Sequence, residues 1–199
     1  MIILRRRHLI ALLPATACAQ TAAFGTPAQM EGPFYPRVIP DDADADLRRV
    51  IGAAREAQGR PLLLEGIIRN AAGGALPGSS IEIWQTDDQG IYLHPGDRIA
   101  QRDAGFQGYG RTTADGAGQY AFRTIRPGTY PGRTPHIHLR AHPPAGGAPL
   151  TTQVYFPDEP GNARDGLLNR VAEASRALLL ARLEPMDGGQ RAIFDIYLA

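Results

Sequence analysis

The sequence predicts an all-β protein: a single-domain antiparallel sandwich or barrel, with an extended N-terminal arm and one short helix. Two observations carry this. Glycine (23) and proline (17) are frequent in a chain of 199 residues that is 43% hydrophobic, a mixture that suits many short strands joined by turns better than a helical bundle. Short runs with a period of two also recur between turn residues, and in a strand that period places alternate side chains on one face. A chain of this length suits one domain and leaves little room for a second core.

The expected elements follow in order. Residues 1–23 read as an export signal. Arg5, Arg6 and Arg7 precede an apolar stretch, Leu9 to Leu13, and then small residues with Ala15-Thr16-Ala17 and Ala17-Cys18-Ala19 as cleavage motifs. Paired arginines there also suit the twin-arginine route, so the expected destination is the periplasm, with a lipid anchor or the medium as alternatives. The apolar stretch is too short to span a bilayer. Residues 24–60 read as an extended arm, because Glu31-Gly32-Pro33-Phe34-Tyr35-Pro36 cannot continue a helix. Residues 61–199 form the expected sandwich, with strands at Leu62–Arg69, Ser80–Gln85, Gln119–Ile125, His136–Ala141, Thr151–Phe156 and Ala192–Leu198. Asn169–Leu183 is rich enough in Ala, Leu, Arg and Glu for a helix of a few turns before Pro185.

Composition excludes several functions. Twenty-one Lys and Arg balance twenty Asp and Glu, for a net charge of +1, and no basic run follows the first ten residues. That offers no electrostatic footprint for nucleic acid. Cys18 is the only cysteine and lies in the leader, so disulfides, iron–sulfur clusters and thiolate-ligated haem are not expected in the folded domain. A metal would have to be held by nitrogen and oxygen.

His136-Ile137-His138 places two imidazoles on one strand face with Ile137 turned into the packing. Alone the pair is a weak signal, since most such pairs are surface or structural, and no third His or Glu stands nearby for a catalytic zinc site. Tyr130 stands six residues earlier in the rigid turn Pro127-Gly128-Thr129-Tyr130-Pro131, and Tyr92 follows a strand and turn at Trp84–Ile91. A lone tyrosine is usually an amphipathic core residue. Together, two phenols and two imidazoles make a hard donor set suited to iron(III).

With these stretches the chain resembles the intradiol ring-cleavage dioxygenases, and within them the single-domain subunits of protocatechuate 3,4-dioxygenase. Glu31–Pro36, Ile81–Tyr92, Gly110–Tyr130, Arg133–His138 and Gln153–Phe156 carry the likeness in the family's order. The resemblance implies an Fe(III) cofactor on Tyr92, Tyr130, His136 and His138. A small aromatic diol and dioxygen would be the substrates and a muconate-type diacid the product. It also implies that Tyr130 is released when substrate binds and accepts its proton, that Arg133 and Gln153 act beside the substrate, and that Gly32, Pro33 and Tyr35 line its mouth. The four-ligand pattern argues against an iron-free partner subunit, and a homo-oligomer is expected. His94 is a candidate for supporting the ligands, and Tyr155 is expected in the core. Two departures stand out. Gly132 replaces a bulky aromatic, which implies a roomier pocket. The long N-terminal helical segment of catechol 1,2-dioxygenases is absent, which argues against that branch. The competing readings are an exported, metal-free β-sandwich binding module and a zinc or copper hydrolase built on the histidine pair.

Overall fold

The computed structural model describes residues 25–199, so the expected export signal lies outside the described residues. Among the described residues nine strands form two sheets: β1 (Pro61–Asn70), β2 (Ser80–Trp84), β3 (Tyr109–Thr113), β4 (Gln119–Ile125), β5 (His136–His142), β6 (Leu150–Tyr155), β7 (Arg182–Met186), β8 (Gly189–Ile193) and β9 (Ile196–Leu198). The first sheet runs β4-β1-β8-β7 with β9 also on β1; the second runs β3-β2-β5-β6. In β1 the alternation Leu62, Leu64, Gly66 and Ile68 faces inward, and β4 answers with Tyr120 and Phe122. These residues and Ile81, Ile83, Ile137, Leu139 and Val154 of the second sheet share one core, which makes the fold a sandwich.

The last predicted strand is two. β8 and β9 both run parallel to β1, one beside Leu62–Glu65 and the other beside Ile68–Asn70. Between them the ladder breaks at Phe194-Asp195. The Phe194 N–H still donates to the Glu65 carbonyl, and the Asp195 carboxylate then accepts from the Ile67 N–H at 2.9 Å. Gly66 is required opposite the break, because a Cβ there would lie 2.0 Å from the Phe194 carbonyl oxygen. The buried Tyr120 hydroxyl donates to that same oxygen at 2.7 Å. Tyr120→Phe is therefore expected to lower unfolding free energy by about 1–3 kcal/mol, measured by urea titration, because it removes a donor from a buried carbonyl.

The helix expected over Asn169–Leu183 is reduced to one turn, α1 (Glu173–Arg176), flanked by 3-10 turns at Leu168–Arg170 and Ala177–Leu179. Tertiary pairing overrides the local propensity. Leu180 bridges Tyr155 and the Ala181 N–H donates to the Tyr155 carbonyl at 2.9 Å, so the chain is already extended before Arg182 pairs with Ile193.

Residues 25–60 form no ladder of their own beyond a bridge from Asp46 to Arg123. They are held by contacts to both sheets, from Thr26 on Tyr197 and Gln29 on Thr151 to the fully buried Leu47. Among the described residues no helix is long and apolar enough to cross a membrane.

Candidate metal centre and its surroundings

The register of the second sheet assembles the site. On β5, His138 is paired with Trp84 of β2 on one side and Gln153 of β6 on the other, and His136 is paired with Tyr155. Directly opposed residues point to the same face. Ile137, Leu139 and Val154 take the opposite parity and enter the core. The two histidines thus stand on the sheet face turned away from the sandwich interior, under the arm and two loops.

Those loops deliver the tyrosines. After Trp84 the chain turns around Asp87, whose carboxylate accepts the N–H groups of Gln89, Ile91 and Asp103. Tyr92 is pinned by its own N–H to Asp97 at 2.9 Å. The Tyr130 loop lies against this turn backbone to backbone. A Cβ at Gly90 (φ 77°) would sit 2.2 Å from the Thr129 carbonyl oxygen, and one at Gly128 would sit 2.4 Å from that of Asp88. Only glycines allow that approach, so the separation of Tyr92 and Tyr130 is set by main chain.

Three donor atoms converge. His136 Nε2 lies 3.2 Å from His138 Nε2, and the Tyr92 hydroxyl is 3.1 Å from His138 Nε2 and 3.4 Å from His136 Nε2. Ligands about 2.0–2.1 Å from one shared ion are separated by distances of about this size. The Tyr130 ring flanks the cluster, 5.5 Å from that of Tyr92 and 5.8 Å from that of His136. His136 Nδ1 donates to the Thr134 carbonyl at 2.7 Å, which leaves its Nε2 lone pair free. His138 is held differently: its ring stacks on Trp84 at 5.0 Å and 6°, and its buried Nδ1 has no protein partner.

Electrostatics suit a cation. Burial, aided by the charge of Arg133, lowers His136 to about 4, and burial with His136 beside it pushes His138 well below the usual value, so both rings are neutral at pH 7. Burial, then the neighbouring Tyr130, lifts Tyr92 well above an ordinary phenol. A phenolate in such a place requires a strong positive charge at its oxygen, which a trivalent ion supplies. Among the described residues no group of three or more His, Cys, Asp or Glu converges, so nothing there builds a zinc-type His and carboxylate site. The donors present therefore fit ferric iron, a hard ion suited to phenolate and imidazole.

Residues 30–198 match the family model described as Dioxygenase. The chain belongs to the intradiol dioxygenase family. It is 34% identical over 147 residues to the protocatechuate 3,4-dioxygenase beta chain of Burkholderia cepacia, covering 70% of this chain and 63% of that one. It thus spans less than two thirds of that relative's length. To the alpha chain from Pseudomonas putida it is 29% identical, covering 86% and 90%. Among solved structures, the dioxygenase domain of a dioxygenase carbohydrate-binding protein fusion from Streptomyces sp. SirexAA-E superposes with a TM-score of 0.69 at 33% identity, over 87% of this chain and 97% of that one.

Around the converging donors, Arg133 is the nearest charge. Its Nη1 lies 3.4 Å from His136 Nε2 and 3.5 Å from the Tyr130 hydroxyl. Gln153 is fully buried, and its carbonyl accepts from Arg133 Nη2 at 2.7 Å and from the Tyr155 hydroxyl at 2.8 Å, so it serves the arginine. Tyr155 is a correction. It shares parity with Gln153, and its hydroxyl reaches Arg133 Nη2 at 3.0 Å, so it belongs to the site's network and not to the core alone. The arm meets this network where Gln153 donates to the Met30 carbonyl and where Gln29 Oε1 lies 2.9 Å from the Tyr155 hydroxyl.

Gly32 (φ 76°) presses on the site, since a Cβ there would lie 3.2 Å from His138 Cε1. Pro33 is exposed beside it. Tyr35 is placed elsewhere: its hydroxyl donates to Glu82 at 2.7 Å and its ring meets the edges of Trp84 and Tyr109, behind the histidine stack. Phe34 takes the position expected of Tyr35. It stacks on Tyr92 at 4.8 Å and meets Tyr130 and His94 edge-on. His94 Nδ1 accepts the Gly96 N–H at 2.9 Å and its ring meets Phe34 edge-on, so His94 supports the loop and the arm.

Asp165 and Trp84 were not legible as site residues, because nothing local in the sequence ties either to the histidines. A pocket of about 260 Å³, lined by Thr129, Gly132, Arg133, Thr134, Gly161 and Asp165 among others, opens beside Arg133. Gly132 has nothing within 4 Å of where a side chain would start, which leaves this side open. A larger groove of about 680 Å³ lies across Glu65, Tyr120 and Asp195 and touches none of the converging donors.

The buried imidazoles predict an acid limit for the metal-free protein. His136 takes a proton near 6.5 when unfolded and near 4 when folded. Because the folded value is depressed, its full stability is present above about pH 6.5 and falls as pH drops toward 4, by roughly 3 kcal/mol at the lower end. Urea titrations of iron-stripped protein from pH 7 to 4 should show that decline, and a flat profile would remove the buried, neutral assignment.

Proposed function

We propose that this dioxygenase holds one ferric ion on Tyr92, Tyr130, His136 and His138. With it the enzyme cleaves a catechol-type ring between its two hydroxylated carbons, giving a muconate-type diacid. Convergence of two neutral imidazole nitrogens and a phenol oxygen within 3.1–3.4 Å is the observation that carries this reading. The family membership favours it over a metal-free binding module. Both atoms of dioxygen enter the product, so diol and dioxygen together balance the reaction without an external reductant.

When bound, the ferric ion would act as a Lewis acid on both substrate oxygens and make the ring electron density available to dioxygen. The protein's own part is to orient the diol, move its protons and keep water out. Tyr130 is only partly buried, on the open side of the cluster, which suits its phenolic oxygen to receive a proton from the incoming diol. Arg133 supports negative charge on the substrate, because a guanidinium stays protonated at any working pH. Phe34 and Gly32 close the arm side of the site over Tyr92 and His138, and that cover limits access of water. The open flank at Gly132 gives ring substituents somewhere to go.

The test is a visible spectrum of the aerobically purified protein, before and after addition of catechol, protocatechuate and hydroxyquinol, with oxygen uptake followed alongside. A burgundy tyrosinate-to-iron band that shifts with one diol, with consumption of dioxygen, supports the proposal. Protein that stays colourless after ferric reconstitution overturns it.

A further inference from the structure

We infer that Asp165 is the residue that positions Arg133 for catalysis, an inference that rests on the ring-cleavage reading above. A charge on a long side chain must be aimed before it can stabilise a transition state, because a free arginine side chain samples many rotamers. Arg133 is aimed from two sides. Its Nε donates to Asp165 at 2.8 Å, and its Nη2 donates to Gln153 at 2.7 Å and Tyr155 at 3.0 Å. The remaining nitrogen, Nη1, has only long contacts of 3.4–3.5 Å, and these face His136 and Tyr130. The fork is thus clamped along the edges that face away from the cluster, and the nitrogen left over is the one presented to it.

Asp165 is suited to be the fixed end of this clamp. Its side chain is fully buried, and besides Arg133 it accepts the Thr134 N–H at 2.9 Å and those of Leu167 and Leu168 at 3.0 Å each. A carboxylate held by main-chain donors cannot swing, so it transfers the position of the turn at residues 165–168 to the guanidinium. Burial alone would raise its pKa, but the Leu168 and Thr134 N–H groups and Arg133 outweigh burial and hold it below the usual carboxylate value, so it is charged when Arg133 needs it. Gln153, a neutral acceptor shared with Tyr155, fixes the other edge without supplying charge.

The test uses the full chain loaded with iron. Asp165→Asn removes the charge and leaves one acceptor oxygen for four N–H donors. It is expected to lower kcat about 10–100-fold, the usual range for losing a supporting partner at a metal site, while iron content and the tyrosinate band stay at wild-type level. In an Arg133→Ala background the same substitution should lower kcat by less than about twofold, because a residue acting through Arg133 has nothing left to act on. Wild-type turnover in Asp165→Asn, or losses that multiply in the double variant, would overturn the inference. If Asp165→Asn does not fold, Asp165→Glu keeps the charge but displaces it, and the same cycle against Arg133→Ala applies. The Arg133 Nε–H resonance, assigned by its disappearance in Arg133→Ala, gives a readout without substrate. It should exchange slowly in wild type and rapidly in the Asp165 variant, and equal exchange in both would overturn the positioning role. Absence of turnover by wild-type enzyme on every diol would sink the ring-cleavage reading and leave this resonance to decide the role of Asp165.

Discussion

His138→Ala is expected to abolish stable iron binding, with a loss of affinity greater than about 100-fold. Losing a supporting partner around a metal typically costs 10–100-fold, and losing a direct ligand should cost more. His138 is buried, its Nε2 lies within 3.2 Å of His136 Nε2 and the Tyr92 hydroxyl, and Trp84 stacks against its ring. No other described imidazole can replace it: His94 is engaged with Gly96, and His142 pairs with Glu82 at 3.1 Å further along the strand. Iron per chain after aerobic reconstitution, read with the visible band, checks the result. A far-UV spectrum controls for unfolding, since the sheet register is carried by Ile137 and Leu139 and should survive. A variant with a full complement of iron would remove His138 from the ligand set.

Arg133→Ala should give the opposite separation, keeping iron and colour while losing turnover. Removing one preorganised group that stabilises developing charge usually costs 10²–10³ in kcat, and that is the expected loss here. None of the converging donors depends on Arg133 for its position. Tyr92 is pinned by Asp97, His136 by Thr134 and His138 by its stack on Trp84. The variant should also be less stable by about 3 kcal/mol, because Asp165 is left buried without its cation. Stability and turnover are measured separately, by thermal unfolding and by oxygen uptake in the folded range. An active Arg133→Ala enzyme would eliminate the arginine from the mechanism.

Local patterns made the strands and the donors readable. β1, β2, β4, β5 and β6 were all predicted within about two residues, because their inward side chains alternate with outward ones. β3 offers no such signal, since Tyr109–Thr113 is short and carries a glycine at its second position. Around α1 the sequence points to a longer helix than the fold holds, because helix propensity is a local quantity and the ladder from Leu180 and Ala181 onto Tyr155 is not. Tyr35, which the resemblance puts at the substrate mouth with Gly32 and Pro33, is turned from the site by a contact of the same long-range kind, because Glu82, 47 residues away, accepts its hydroxyl.

By itself the sequence determined the chemistry available to this protein. A chain with no cysteine after Cys18, with His136 and His138 one strand period apart and Tyr92 and Tyr130 in turns rich in glycine and proline, restricts any metal in its sandwich to nitrogen and oxygen donors. The tertiary structure alone decided how those donors meet and what surrounds them. Backbone contact at Gly90 and Gly128 sets the gap between the tyrosine loops, and pairing of β5 with β2 and β6 puts Trp84 and Gln153 on either side of His138. The carboxylate of Asp165 reaches Arg133 across 32 residues. Contacts of that kind join segments with no local constraint on one another, so their partners are chosen by the packing of the whole chain.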